Sequence, residues 1–407
     1  MGGNVCMEKF NIKVDIVSSG YVKDDGTFDK EKALLLCGKF AGICYDREGF
    51  NHLLNEPIEK TKRRIDMTLN NGHHSVYDHI FISFNFQNLP KMLSMFLNNE
   101  HEYTTSEKSA RYTPVVKSGD SVISEREVEL YNKWIEIYKD KIKEKYGHVF
   151  DDRKILKLAQ ENARYLVSVF MPTQMAYTTS FRQINYIASW MKEYMEKADM
   201  NNPFERKLNV AMGELLNELD RLNVLEKGLM QNEKNREFSL IKKDLKDTEV
   251  YYGDKVYSTL YKATFADLAQ AQRHRTLDYE IQILEDKEYY VPPIIKNDKK
   301  LVNEWLEDIS SLKNITPQGE LVLINECGTY DNFILKCKER LCSAAQLEIA
   351  EQTRDTLLAY EKALKAKNSK KAEDIAKYTK GARCTFCDFK CTSPCGFKEG
   401  INLTREI

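Results

Sequence analysis

Between Lys9 and Ser18 the chain alternates apolar and polar residues (KFNIKVDIVS), which is the period of a half-buried strand. The alternation returns over His79–Phe86 (HIFISFNF) and predicts a second strand. Elsewhere apolar residues recur at three- and four-residue spacing. They do so over Asp29–Ala41, Ile58–Asn71, Ser124–Tyr146 and Lys154–Val169, where amphipathic helices are expected. The same period covers Arg182–Lys197 and, after the Asn201-Asn202-Pro203 break, Phe204–Leu225. Past a polar stretch at Glu226–Arg236 the pattern predicts a strand at Val250–Tyr252 and a helix at Thr259–Arg273. An extended segment at Tyr289–Ile295 and one long helix from Thr329 to about Lys367 follow. Strands and helices mix without a regular alternation, so the expected fold class is α+β.

A chain of 407 residues can bury the cores of two or more domains. The polar stretch suggests a boundary, giving an N-terminal unit over 1–235 and a C-terminal unit over 236–370. A Lys-rich connector and Cys-rich tail occupy 371–407. Lys plus Arg (61) nearly balances Asp plus Glu (62), so nucleic acid is not an expected partner. Any anion site has to come from local clustering. No apolar run is long enough for a bilayer, so no membrane partner is expected. Cys6, Cys37, Cys44, Cys327, Cys337 and Cys342 are scattered, mostly among apolar neighbours. They read as reduced thiols and make the cytoplasm the expected location.

Four clusters carry candidate chemistry. Gly72-His73-His74-Ser75-Val76-Tyr77-Asp78-His79 lies where a helix gives way to a strand. It lacks the His-x-x-x-His spacing of helical zinc sites, and fits either a capped turn or a polar ligand site. Glu107-Lys108-Ser109-Ala110-Arg111-Tyr112 sets small residues beside an Arg, a cradle for phosphate or carboxylate, or a loop held by a Glu–Arg pair. Gln270-Ala271-Gln272-Arg273-His274-Arg275 concentrates positive charge at a helix end, suiting either a pyrophosphate or the helix dipole. Arg340 and Ala345-Gln346-Leu347-Glu348-Ile349 fall on the last long helical pattern, where only part of the set can share one face.

Taken together, these clusters resemble the flavin-dependent thymidylate synthases, the ThyX-type enzymes. That family shows a His-x-Ser/Thr-x-x-Glu-His turn and a signature Arg-His-Arg-x-x-Ser-x-Asn-Glu-x-Ser-x-Arg-Tyr. Ala-Arg, Asn-x-Arg and a final helix with Arg before Ala-Gln-x-Glu-Ile come later. Residues 9 to about 197 resemble one family unit. His73, Ser75, Asp78 and His79 match the turn, with Asp for Glu, and Glu107, Ser109, Arg111 and Tyr112 match the end of the signature. Asn98–Glu102 (NNEHE) stands where Arg-His-Arg should be. Ala163-Arg164 matches Ala-Arg, and Ser180-Phe181-Arg182 keeps the Arg of Asn-x-Arg. Residues 256 to 360 resemble the family again. They keep Gln270, Arg273-His274-Arg275, Arg340 and Ala345-Gln346-Leu347-Glu348-Ile349 but lose Ser-x-Arg-Tyr. Each half retains what the other lacks, which implies two tandem ThyX-like units.

The resemblance implies reductive methylation of dUMP to dTMP, with FAD as cofactor and methylenetetrahydrofolate and NADPH as co-substrates. A related C5 modification of a pyrimidine nucleotide, such as hydroxymethylation, and a retired nucleotide-binding homologue are the alternatives. It assigns Arg340 and Ser109 to catalysis, and Gln270, Glu107, Ser109, Arg111 and Arg164 to the nucleotide. The flavin falls to His73, Ser75, Asp78, Arg182, Arg273, His274 and Arg275. The family is homotetrameric, so a homodimer forming a pseudo-tetramer is expected here. Finally, Cys384, Cys387, Cys391 and Cys395 form a compact set that could hold zinc or an iron–sulfur cluster, or stay metal-free.

Overall fold

The computed structural model describes residues 9–108, 123–231, 236–386, 389–392, 395 and 404–407. Helices and two antiparallel four-stranded sheets make up the chain, an α+β architecture. Two compact units form. The first gathers the described parts of Met1–Lys108 and Phe170–Phe238, the second those of Ser109–Val169 and Ser239–Ile407. The helices of 123–169, placed in the N-terminal unit by the sequence pattern, thus pack within the second unit.

In the first unit, β1 (Lys13–Ser18), β2 (Phe81–Pro90), β3 (Tyr103–Glu107) and β4 (Pro172–Ser180) run in the order β1-β2-β4-β3. Alternate residues of β2 (Ile82, Phe84, Phe86) are fully buried, as the HIFISFNF alternation requires. The helices Lys30–Phe40 and Ile58–Asn70 match the expected ones to within a residue at each end. Phe181–Lys197 and Pro203–Arg221 carry the remaining apolar stripes, the first capped by Ser180 and the second by Asn202.

In the second unit, β5 (Tyr251–Tyr252), β6 (Val256–Thr264), β7 (Leu277–Ile283) and β8 (Leu321–Thr329) take the equivalent order β5-β6-β8-β7. The correspondence extends to helices. A seven-residue helix follows the second strand of each sheet, Lys91–Leu97 in one and Phe265–Ala271 in the other. A longer helix follows the fourth, Phe181–Lys197 and Tyr330–Arg340. Glu125–Tyr146 opens on a capping box between Ser124 and Glu127. Its Trp134 meets Trp305 of the helix Lys299–Ser311 edge-to-face at 4.9 Å.

Three elements differ from expectation. The expected helix Thr259–Arg273 is strand up to Thr264, because Tyr257, Thr259 and Tyr261 belong to a β-branched and aromatic run paired with β8. The helix begins only after Thr264 caps it. The expected helix Lys154–Val169 ends at Ala163, and the Val169 amide then donates to Thr316 O at 2.9 Å. The single helix expected from Thr329 to Lys367 is two, Tyr330–Arg340 and Leu347–Ala366, broken by a loop over 341–346. Among the described residues no helix is long and apolar enough to cross a membrane.

Candidate functional site

The family-like turn of the first unit folds as a 3-10 helix, His74–His79, with His73 and Ser75 on its exposed side. His74 is buried instead, held between the Tyr186 hydroxyl at 2.9 Å and the Leu69 carbonyl at 3.0 Å. Asp78 ties this turn to the helix after β4. One of its oxygens accepts from Ser180 Oγ at 2.6 Å and the other pairs with Arg182 at 2.6 Å. Ser180 Oγ in turn accepts from Gln183 N, so one hydroxyl caps the helix and fixes the carboxylate. The Arg182 guanidinium lies over the Tyr186 ring. Asp78 thus aims Arg182 and spends both oxygens doing so.

Glu107, at the end of β3, accepts from Lys91 Nζ with both oxygens (2.6 Å each) and from Ser94 Oγ at 2.9 Å. Its side chain is nearly buried, as is that of Lys91. Glu100, in the segment that replaces Arg-His-Arg, is fully buried and paired with Arg236, whose guanidinium stacks 3.8 Å over Trp190. Ser109 and Arg111 lie outside the described residues.

The second unit gathers Arg164, Gln270 and Arg340 from three distant parts of the chain. Arg164 follows the helix Asp152–Ala163 and donates to Ala266 O at 3.2 Å. Arg340, the last residue of its helix, donates to Gln270 O at 3.3 Å. A directed chain of hydrogen bonds links their neighbours. Gln270 Nε2 donates to Gln346 Oε1, Gln346 Nε2 to the Tyr165 hydroxyl, and that hydroxyl to Glu348 at 2.7 Å. Thr264 adds its backbone amide (2.9 Å) and hydroxyl (2.8 Å) to Glu348. The Glu348 carboxyl accepts from all three. Burial raises the Glu348 pKa above the ordinary carboxylate range. Gly319 lets the backbone approach Tyr165: a Cβ there would stand 2.8 Å from Tyr165 Cβ.

Behind this chain Lys336 and Glu326 form a fully buried ion pair at 2.6 Å. Lys336 also donates to Gln352 at 2.8 Å, and Glu326 accepts from Tyr257 (2.7 Å) and Tyr261 (2.8 Å). Arg273 and Arg275 are exposed, whereas His274 between them is buried. Burial, aided by Arg340 and Lys336, pushes the His274 imidazole down to about 2, so it is neutral at physiological pH. From the far end of the chain, Arg405 donates to Cys342 O (3.4 Å), Ser343 O (3.3 Å), Ala345 O (3.1 Å) and Ile407 O (3.0 Å). It thereby fastens the loop that joins Arg340 to Gln346.

In the tail, Cys384, Cys391 and Cys395 are half-buried and Cys387 lies outside the described residues. Among the described residues no three His, Cys, Asp or Glu side chains are grouped to hold a metal ion. The zinc or iron–sulfur expectation therefore gains no support there. Sequence reasoning did not single out Tyr165, Asp267, Lys336, Glu326 or Arg405. Tyr165, adjacent to Arg164, was the most accessible of these to a motif reading. The others have no local spacing to mark them.

The family of thymidylate synthase complementing proteins matches residues 28–193. No curated protein sequence matches. Among solved structures, a UMP/dUMP methylase PolB from Streptomyces cacaoi bound with 5-Br dUMP is 16% identical. That comparison covers 54% of this chain and 95% of that one, at a TM-score of 0.33. The same methylase bound with 5-Br UMP is 13% identical, covering 54% and 94%, at a TM-score of 0.32. Over residues 28–193, this chain is similar to the thymidylate synthase complementing protein family.

Proposed function

We propose that the chain is a flavin-dependent enzyme that modifies a pyrimidine deoxynucleotide at C5. In the family it resembles, that reaction is reductive methylation of dUMP to dTMP with methylenetetrahydrofolate, NADPH serving as reductant. The observation that carries this reading is the convergence of Arg164, Gln270 and Arg340 in one unit, joined through Gln346 and Tyr165 to Glu348. Each comes from a family-like motif, and more than 170 residues of chain separate the first from the last.

In this reading Arg340 stabilises negative charge developing on a base carbonyl. Arg164 and Gln270 orient the nucleotide, and Ser109 and Arg111 complete its phosphate cradle. The resemblance also assigns Glu107, fastened in the first unit by Lys91 and Ser94, to the nucleotide. The exposed Arg273 and Arg275 suit a pyrophosphate, so the residues present fit FAD. In the first unit, the resemblance assigns His73, Ser75 and Arg182, the last aimed by Asp78, to the flavin as well. Reduced FAD, when bound, supplies the hydride.

The shared strand order and matching helices of the two sheets support the tandem reading. A dimer of such chains would repeat the family's fourfold assembly. An anaerobic assay with dUMP, methylenetetrahydrofolate and reduced FAD tests the reaction, with the product identified by mass. A nucleotide gaining one methylene is the expected result. Failure of FAD and every pyrimidine nucleotide to bind at micromolar concentration would end this reading.

A further inference from the structure

Tyr165, the residue after Arg164, is built into place from its backbone and from its ring. Its carbonyl accepts from Gly319 N at 2.8 Å, an approach that the missing Cβ of Gly319 allows. Its ring packs against Tyr290, with centroids 4.9 Å apart. Tyr290 is held in turn, its amide donating to Gly319 O at 3.0 Å and its carbonyl accepting from Trp305 Nε1 at 2.7 Å. A hydroxyl carried on a ring anchored in this way has a fixed position.

One partner is enough to satisfy a buried phenol, and Glu348 supplies it at 2.7 Å. The Tyr165 hydroxyl has a second, Gln346 Nε2, and the other end of that amide, Gln346 Oε1, accepts from Gln270 Nε2. All four side chains are buried. Gln270 Oε1 has no hydrogen-bond partner among the described residues, so the bond to Gln346 is what orients the Gln270 amide there. The two ends of an amide are alike in shape and opposite in hydrogen bonding. An unfixed Gln270 would therefore offer a ligand donor and acceptor interchangeably, whereas one tied to Tyr165 offers a single arrangement.

We infer that Tyr165 is a positioning residue for nucleotide binding, holding the Gln270 amide in one orientation through Gln346. The inference rests on the pyrimidine-nucleotide reading above, in which Gln270 orients the nucleotide, and deepens it by naming what sets Gln270. Tyr165 acts at a distance on this account: its hydroxyl is spent on Glu348 and Gln346, and the ligand meets only the residue it orients.

Tyr165→Phe tests this, because it deletes the hydroxyl and keeps the ring against Tyr290. Glu348 stays satisfied in that variant by the amide and hydroxyl of Thr264, so the loss falls on Gln346 and Gln270. In calorimetric titration of the full chain loaded with FAD, dUMP should bind about tenfold more weakly to Tyr165→Phe than to the wild type. FAD affinity should be unchanged, since neither Arg273 nor Arg275 takes part in these bonds. Gln346→Leu cuts the same series at its middle and should reproduce both results. In a Gln270→Ala background, adding Tyr165→Phe should alter dUMP affinity by less than about twofold, because the residue it acts through is gone. Unchanged dUMP affinity in Tyr165→Phe and Gln346→Leu, equal losses of dUMP and FAD affinity, or a full further loss in the Gln270→Ala background overturns the inference and leaves the nucleotide reading standing. A wild-type protein that binds no pyrimidine nucleotide overturns both.

Discussion

The two sheets share one strand order, yet they use the end of the same short helix in opposite ways. After Lys91–Leu97 the chain buries a carboxylate, Glu100, and satisfies it with Arg236 stacked on Trp190. After Phe265–Ala271 it buries a neutral imidazole, His274, and leaves Arg273 and Arg275 in solvent. The first unit keeps its other ion pairs near the surface or at the sheet edge, as in Asp78–Arg182 and Lys91–Glu107. The second sinks Glu326, Lys336, Glu348 and Asp267 completely into its core. Buried charge is expensive and is kept where geometry rather than stability is the need. Of the two scaffolds, the second is the one organised around a polar interior.

That contrast can be broken most directly at the ion pairs. Lys336→Met strands Glu326 in the core and should cost about 3–5 kcal/mol in urea unfolding. Lys91→Met should cost clearly less, because the Lys91 and Glu107 side chains keep some contact with solvent, at 9% and 7% exposure, while Lys336 and Glu326 have none. Equal losses would remove the distinction between the units. Arg340→Ala is expected to lower turnover about 100- to 1,000-fold with the unfolding midpoint little changed. Arg182→Ala in the first unit should have a smaller effect on turnover and a larger one on flavin retention, read from the absorbance of the purified protein.

A third contrast is in pH dependence. The His274 imidazole has a folded pKa far below its unfolded value, so the unfolded chain binds the extra proton. The stability that follows is fully present above about pH 6.5 and is lost as pH falls, by up to about 1.4 kcal/mol per pH unit. His274→Gln should remove that slope between about pH 6.5 and 5 in melting curves, and a slope left intact would place the proton elsewhere. The smallest contrast lies at two equivalent caps. Ser180→Ala loses a helix cap and the tether on Asp78, for about 1–2 kcal/mol, while Thr329→Ala loses only a cap, for about 0.5–1 kcal/mol. Thermal unfolding of the two variants side by side would show it.

The sequence made the amphipathic helices legible because their caps are local: Ser124 with Glu127, and Asn202 before Pro203, announce their own termini. It hid β3, β4, β7 and β8. Pro172–Ser180 (PTQMAYTTS) and Tyr103–Glu107 (YTTSE) are short and Thr-rich, and they become strands only by pairing with each other and with β2. The break in the last helix was equally hidden, since Leu341–Gln346 contains neither Gly nor Pro. Motif order named Arg164, Gln270 and Arg340, which the second unit brings together. It did not reveal that His274 sits beneath the surface while its flanking arginines face solvent, because burial depends on partners far away in sequence.

The fastening of residues 341–346 by Arg405 bears on how variants of this protein should be surveyed. A change some sixty positions downstream of Arg340 can shift both ends of that loop at once, moving Arg340 and Gln346 without altering either. In a saturation screen scored on nucleotide modification, position 405 should behave like a motif residue. A library confined to recognisable motifs would pass over it, and drift in the last residues of the chain offers an inconspicuous route for tuning the enzyme.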